Sequence, residues 1–231
     1  MNAHFTEQHK RSYLEDGFVN PGIILPEESI APVREYLIAK KDSSGDSKPG
    51  GTFLADLHPE SKLVADFCTQ PLFVEMCRLF IGPEAYLCWS QMIAKEPGKS
   101  GVFAWHQDGH YALANGEDKG SIESESLTAQ VVCWIAITEA NRRNGGLTIA
   151  PRWHTRGLLP HKMGETDRAW HCQFEPETEC LAEVPAGGFV LFSRFTPHKS
   201  GPNLSDKVRL GLQIAFRSSI RPSDVGRAIK L

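Results

Sequence analysis

The sequence contains no apolar run of membrane-spanning length, and its opening residues, Met1-Asn2-Ala3-His4-Phe5-Thr6-Glu7, lack the apolar core of a secretion signal. A cytoplasmic protein with no membrane partner is expected. There is also no long run of Lys or Arg, and the formal net charge is -3, so the electrostatic footprint of nucleic-acid binding is missing and no nucleic-acid partner is expected. Six cysteines are scattered without a Cys-x-x-Cys pair, which removes zinc knuckles and dithiol redox motifs and leaves reduced, mostly buried thiols. Cys133, inside an apolar stretch, is expected in the core. With no internal repeat and 231 residues, one domain over 1–231 is expected.

What is present changes character along the chain. Thr6 can cap a helix reaching about Asp16, where Gly17 ends it, and a second helix starts at Pro26-Glu27-Glu28 and reaches about Lys41. Two shorter helices follow, from Ser61 to about Cys68 and from Pro71 to Ile81, the last stopped by Gly82-Pro83. The turn-rich stretch Asp42 to Gly51 reads as a mobile surface loop, and His58-Pro59-Glu60 as a surface turn. From Ala85 onward the punctuation is that of strands: Tyr86 to Lys95, Val102 to His106, Leu127 to Thr138, Leu147 to Ala150, Gly188 to Phe195 and Lys207 to Arg217. Helices first and strands after predict a mainly β fold with flanking helices, mostly helical support over 1–84 and a jelly-roll core over 85–217.

The chemistry gathers in Phe103-Ala104-Trp105-His106-Gln107-Asp108-Gly109-His110-Tyr111. On an extended strand, residues i and i+2 leave the same face, so His106 and Asp108 can offer an imidazole nitrogen and a carboxylate oxygen to one point. A second histidine would complete the 2-His-1-carboxylate triad of non-haem Fe(II) oxygenases, which leaves three coordination positions open. His-x-Asp alone is weak evidence. His198 is the candidate third ligand, and of the nine histidines it alone has an arginine eleven residues on, Arg209. A hairpin returning along its neighbour would set Arg209 across from His198, where its planar fork suits a carboxylate. His110 and Tyr111, just past the metal strand, are expected to face substrate, whereas His154 and His161 read as structural and Trp105 and Trp134 as core or pocket wall. The segment Ala112 to Ser126 has no apolar period and carries Glu117, Asp118, Glu123 and Glu125 against Lys119. It reads as a lid. Its acidity, set against Arg142, Arg143, Arg152 and Arg156, favours a small zwitterionic or mixed-charge substrate.

Together with Asn144-Gly145-Gly146-Leu147 through Pro151-Arg152-Trp153-His154, and with Pro185-Ala186-Gly187-Gly188 through Arg209, these motifs resemble the Fe(II)/2-oxoglutarate dioxygenases of the phytanoyl-CoA dioxygenase type. The resemblance covers most of the chain. It implies a cupin-like double-stranded β-helix in which His106, Asp108 and His198 bind Fe(II), and Arg209 and Ser200 hold the distal carboxylate of 2-oxoglutarate. Gln91 and Lys95 match positions that reach the same cosubstrate. O2 is the other cosubstrate, and ascorbate would support turnover in vitro. The implied reaction hydroxylates an unactivated C–H bond of a small molecule and releases succinate and CO2. Related halogenases have Gly or Ala where this chain has Asp108, which points to a hydroxylase. Desaturation or ring closure by the same chemistry, a non-catalytic metal-binding jelly roll, and a cupin dioxygenase without cosubstrate are the alternatives; retention of Arg209 and Ser200 argues against the second, and the third would usually need a further histidine in place of that clamp. Where the family usually has Pro-Gly-Ser-His, this chain has Pro151-Arg152-Trp153-His154. Neither the substrate nor the choice between monomer and homodimer follows from these residues.

Overall fold

Thr6 and His9 cap each other reciprocally at the start of α1 (Glu7–Asp16), and Gly17 stops it at φ 82°, a conformation that costs a residue with a Cβ. The computed structural model describes residues 5–45, 50–165, 167 and 169–231. A two-residue strand, β1 (Phe18–Val19), leads to α2 (Glu27–Ser44), so part of the stretch expected to be a loop continues the helix. Residues 46–49 of that expected loop lie outside the described residues. Next come β2 (Thr52–Ala55), α3 (Leu57–Glu60), α4 (Lys62–Cys68) and α5 (Pro71–Phe80).

His58 corrects the surface-turn expectation. It lies in α3, is 2% exposed, and has its ring nitrogens 2.7 Å from Ser90 Oγ and 3.1 Å from the Arg227 carbonyl. Pro59 misled because a proline in the first turn of a helix gives up an N–H that has no partner there anyway.

The remaining elements are β3 (Tyr86–Lys95), β4 (Phe103–His106), α6 (Asp108–Ala114), α7 (Lys119–Glu123), β5 (Gln130–Ala136), β6 (Leu147–Ile149), β7 (His161–Met163), β8 (Trp170–Cys172), β9 (Cys180–Ala182), β10 (Phe189–Phe192), β11 (His198–Ser200), β12 (Arg209–Arg217) and β13 (Ile229–Lys230). Among the described residues the strands form a large sheet in the order β1-β10-β5-β12-β3-β13, with β2 also on β3, and a smaller sheet β4-β11-β6-β9, while β7 and β8 pair separately. The ladders in both are antiparallel.

Period-two alternation gives the large sheet two different faces. Val131, Cys133 and Ile135 of β5, with Leu210, Leu212 and Ile214 of β12, pack under the helices against Ile30, Leu37, Phe73, Met76 and Phe80. Burying each of these larger side chains contributes about 1.5–3 kcal/mol, and this is what fixes the helices to the sheet. The opposite face, with Val132, Trp134, Ala136 and Ala215, meets Leu147 and Ile149 of the smaller sheet. Two sheets facing each other, backed by helices on one side, are the mainly β jelly roll that the order of elements predicts and match the cupin-like fold that the resemblance implies. The described cysteines are all free, and Cys133 is fully buried in the core. Among the described residues no helix is long and apolar enough to cross a membrane.

Candidate active site

Strand β4 ends at His106, and helix α6 begins at Asp108, so the two residues do not lie on one continuous strand. Gln107 between them is still extended, at φ -119° and ψ 134°. His106 and Asp108 therefore point one way and Gln107 the other. The buried Gln107 amide donates to the carbonyls of Gly157 at 2.9 Å and Phe195 at 2.6 Å and accepts from Leu159 N–H at 2.8 Å, which ties this corner to the turn before β11. Strand β11 then brings His198 directly opposite His106 in the ladder.

The two imidazoles are oriented by backbone. His106 Nδ1 lies 2.8 Å from the Ala104 carbonyl, and His198 Nδ1 lies 3.0 Å from the Thr196 carbonyl. A carbonyl only accepts, so each Nδ1 carries the proton and each Nε2 keeps a free lone pair. Both Nε2 atoms face Asp108 Oδ1, at 3.9 Å from His106 and 3.7 Å from His198. Donor atoms of the three residues all lie within 4.8 Å of one another, a spacing that could hold a metal ion. Burial, and then the neighbouring His198, hold the His106 imidazole well below its ordinary pKa, so it is neutral and available as a ligand. Burial raises the Asp108 carboxyl pKa, opposed by His198, Arg194 and the Gln213 amide.

Arg209 is not the hairpin partner of His198. It starts β12 in the large sheet, paired with Lys95 of β3, while His198 belongs to the smaller sheet. The chain between them crosses from one sheet to the other, so the two side chains meet across a cavity instead of along a ladder. That cavity, about 660 Å³, is lined by His106, Asp108, His198, Ser200, Arg209 and Gln91. Arg209 is 2% exposed; its Nη2 donates to the Gly145 carbonyl at 2.8 Å, while Nε and Nη1 are buried with no partner among the described residues. Burial lowers its guanidinium pKa to about 10. A buried cation with open donors is costly until an anion fills it, and a carboxylate has the matching shape. Gly145, at φ 82°, lets the Arg209 acceptor come close: a Cβ there would sit 2.5 Å from the Gly201 carbonyl oxygen and 2.8 Å from Lys95 Cδ. Lys95 is fully buried behind this end, donating to the Gly101 carbonyl at 2.7 Å, and lies outside the cavity lining. Burial, then Arg209, lower its ammonium pKa to about 7.

The far end of the cavity is charged and paired. The expected loop Ala112 to Ser126 is largely the helices α6 and α7; Asp118 caps α7 by accepting from Ser121 N–H at 2.7 Å, and Ile122 is fully buried. Sequence acidity overstated its charge, because Glu117 bonds Arg194 at 3.1 Å and Arg217 at 3.0 Å, and Glu125 bonds Arg194 at 3.1 Å and Arg221 at 2.8 Å. Arg227 adds a bond to Asp56 at 3.0 Å. Tyr111 lines the cavity; His110 does not, and stacks on His161 at 3.9 Å between ring centroids. Both ring nitrogens of His161 are engaged, with Gln107 N–H and the Leu159 carbonyl. His154 is buried, its Nε2 3.0 Å from the Leu14 carbonyl. Trp134 is buried in the cavity wall, under the Arg209 guanidinium. Arg152 takes the left-handed φ of 67°, a conformation that favours glycine, and it bonds Asp16 at 3.0 Å.

Sequence reasoning missed Gln213, Arg194 and Arg217. Gln213 Nε2 donates to Asp108 Oδ2 at 2.8 Å. A signal was available for two of them: in Arg209-Leu210-Gly211-Leu212-Gln213-Ile214-Ala215-Phe216-Arg217 every large apolar residue falls on the alternate position, which assigns Gln213 and Arg217 to the face of Arg209. Arg194 sits in a turn, where no periodicity reports its direction.

Among known proteins, a methylphosphonate hydroxylase of Gimesia maris is 28% identical over 67% of this chain, and the peroxisomal phytanoyl-CoA dioxygenase of Mus musculus is 25% identical over 86% of it. The chain spans about half the length of these relatives, 54% and 56% respectively. In fold it is similar to the epimerase SnoN in complex with Fe3+, alpha ketoglutarate and nogalamycin RO, with a TM-score of 0.69 and 19% identity over 95% of this chain and 87% of that one. The family model described as Phytanoyl-CoA dioxygenase (PhyH) matches residues 13–211, and the chain belongs to that family.

Proposed function

We propose that this protein is a non-haem Fe(II)- and 2-oxoglutarate-dependent dioxygenase that hydroxylates an unactivated C–H bond of a small molecule. The observation that carries the reading is the convergence of His106 Nε2 and His198 Nε2 on Asp108 Oδ1 in one cavity with the unfilled donors of Arg209. Two imidazoles and one carboxylate are the donor set that suits Fe(II) with open positions, and a buried guanidinium suits the distal carboxylate of the cosubstrate. When bound, iron with 2-oxoglutarate and O2 supplies the oxidation, one oxygen atom ending in succinate as CO2 leaves and the other in the substrate C–H bond.

The chain's own part is placement and exclusion of water. His106, Asp108 and His198 would hold the metal. Arg209 and Ser200 would grip the distal carboxylate, and Gln91, paired with Gln213 on β3, lines the same cavity further along the strand. Lys95, behind Arg209, adds positive charge in its protonated form. Tyr111 and the ion-paired wall of Arg194, Glu117 and Arg217 shape the substrate end, while His110 acts at one remove by packing on His161. The reading includes a single domain, a cytoplasmic location and neither a nucleic-acid nor a membrane partner, supported by the shared helix-sheet core and the net charge of -3.

The test is succinate release over a panel of small molecules with Fe(II), 2-oxoglutarate and ascorbate supplied. Release that requires both Fe(II) and 2-oxoglutarate, and that is stimulated by one class of molecule with a gain of one oxygen atom, is expected. Absence of Fe(II) binding by the wild-type protein would end the proposal.

A further inference from the structure

We propose that Gln213 is a positioning residue that decides which oxygen of Asp108 is offered to the metal, an inference that rests on the Fe(II) reading above. The two carboxylate oxygens are not equivalent in this site. Oδ1 faces both histidine Nε2 atoms, at 3.9 and 3.7 Å, whereas Oδ2 accepts from Gln213 Nε2 at 2.8 Å. Among the described residues no other side chain donates to Asp108. Arg194, which attracts the carboxylate through space, turns Nη1 and Nη2 to Glu125, Gln130 and Glu117, and its buried Nε makes no hydrogen bond.

The chemistry follows from what an amide can do. A carboxylate free to rotate can present either oxygen, or both at once, and a two-oxygen grip would consume a coordination position that the cosubstrates need. An amide N–H can only donate, so it occupies Oδ2 and leaves the lone pairs of Oδ1 to the metal. The orientation of the Gln213 amide is itself fixed, because its carbonyl oxygen turned toward an ionised carboxylate would be repelled.

The fold makes this brace rigid. Gln213 is 4% exposed and sits mid-strand in β12, paired with Gln91 on one side and Trp134 on the other. Asp108, by contrast, is the first residue of a short helix and has a side chain 21% exposed to the cavity. The strand is the fixed partner and the carboxylate the movable one, so the hydrogen bond aligns Asp108 to the sheet.

The experiment is an anaerobic titration of metal-free protein with Fe(II), then with 2-oxoglutarate, for the wild type, Gln213→Met and Gln213→Asn. Met keeps the length and removes the donor; Asn keeps the amide and withdraws it by one methylene. We expect the Fe(II) dissociation constant to rise about 10- to 100-fold in Gln213→Met, the usual cost of losing an outer partner of a metal ligand, with no rescue by Asn. The visible absorption of the Fe(II)–2-oxoglutarate chelate should change at saturation, because the carboxylate then binds differently. Far-ultraviolet dichroism of the metal-free variants should match wild type, since cavity water can replace the lost donor. Fe(II) binding within about twofold of wild type and an unaltered absorption band in Gln213→Met overturn the proposal. If Gln213→Met does not fold, the same criterion applied to Gln213→Asn decides. Failure of the wild type itself to bind Fe(II) overturns the underlying reading instead, and this one with it.

Discussion

Replacing Arg209 by Met separates the cosubstrate site from the metal site, and the structure sets the size of the effect. The guanidinium is 2% exposed, makes one hydrogen bond, to the Gly145 carbonyl, and keeps Nε and Nη1 unfilled. Loss of it would leave the distal carboxylate of 2-oxoglutarate buried without a partner, which costs about 2–5 kcal/mol, or about 30- to 5,000-fold in dissociation constant. Fe(II) binding should be unaffected. The cosubstrate-free protein should respond in the opposite sense. Arg209 has a folded pKa near 10, below its ordinary 12.5, so the fold disfavours the charged form by roughly 3 kcal/mol. For a cation with a depressed folded pKa, that penalty is fully present below about pH 10 and is relieved only as pH rises from there toward the ordinary arginine value. Methionine removes the charge at similar volume, so at pH 7 metal-free Arg209→Met should unfold at or above the wild-type temperature. Calorimetric titration with 2-oxoglutarate over the Fe(II)-loaded proteins, paired with thermal denaturation of the metal-free ones, measures both. Unchanged 2-oxoglutarate affinity together with a lower unfolding temperature would show that the open donors of Arg209 serve some other group.

Replacing His106, Asp108 or His198 by Ala should abolish succinate release and weaken Fe(II) binding; near wild-type turnover in any one of them would remove that residue from the triad. Asp108→Gly in the presence of chloride should keep some metal binding with little hydroxylation, read by metal titration and mass of the product. Lys95 has its pKa depressed to about 7 by burial and then by Arg209, so between about pH 7 and the ordinary lysine value the unfolded chain holds more protons and stability should rise with pH. Lys95→Met should flatten that rise in denaturant titrations. Glu117→Gln removes a carboxylate shared by Arg194, Arg217 and Arg221 and should cost about 3–5 kcal/mol. Limited proteolysis should then cut faster within Ala112 to Ser126, and cosubstrate with substrate should protect the wild type; equal cleavage in every state would show that the segment is not a lid.

The elements legible in advance were those with a local physical cause. Thr6, Gly17 and the Gly82-Pro83 stop marked helices because caps act within one turn, and the apolar runs of β5 and β12 marked the central strands. The short strands β1, β2, β7 to β9, β11 and β13 escaped because two to four residues carry no period, and only their partners hold them. The helices α6 and α7 escaped for a related reason: Glu117 and Glu125 look solvated in sequence and are half-buried only because Arg194, Arg217 and Arg221 arrive from distant parts of the chain. His106 with Asp108 was legible from spacing alone, although the backbone turns into a helix between them; the extended Gln107 preserved the relation. The route by which Arg209 reaches the cavity was not legible, since residue spacing cannot distinguish a hairpin from a crossover between sheets.

Strand β12 has a consequence for how such a protein can change. Its cavity face carries Arg209, Gly211, Gln213, Ala215 and Arg217, with Gly211 left bare because the Trp134 ring would lie 2.6 Å from a Cβ there. Alternate residues of an antiparallel strand are about 6.8 Å apart, so the strand is a ruler with the cosubstrate anchor at one mark and the carboxylate brace about 14 Å along it. Gln213 cannot move without breaking ladders to β3 and β5 together, and Arg209 is held by its pairing with Lys95 of β3. Past Arg217 the strand ends, and the wall is completed by Ala112, Asn115, Glu117, Ser223, Asp224 and Arg227, from residues 112–126 and 221–227, which belong to no central strand. Substrate range can therefore drift by exchange of those two segments while the oxidising half of the cavity keeps its dimensions.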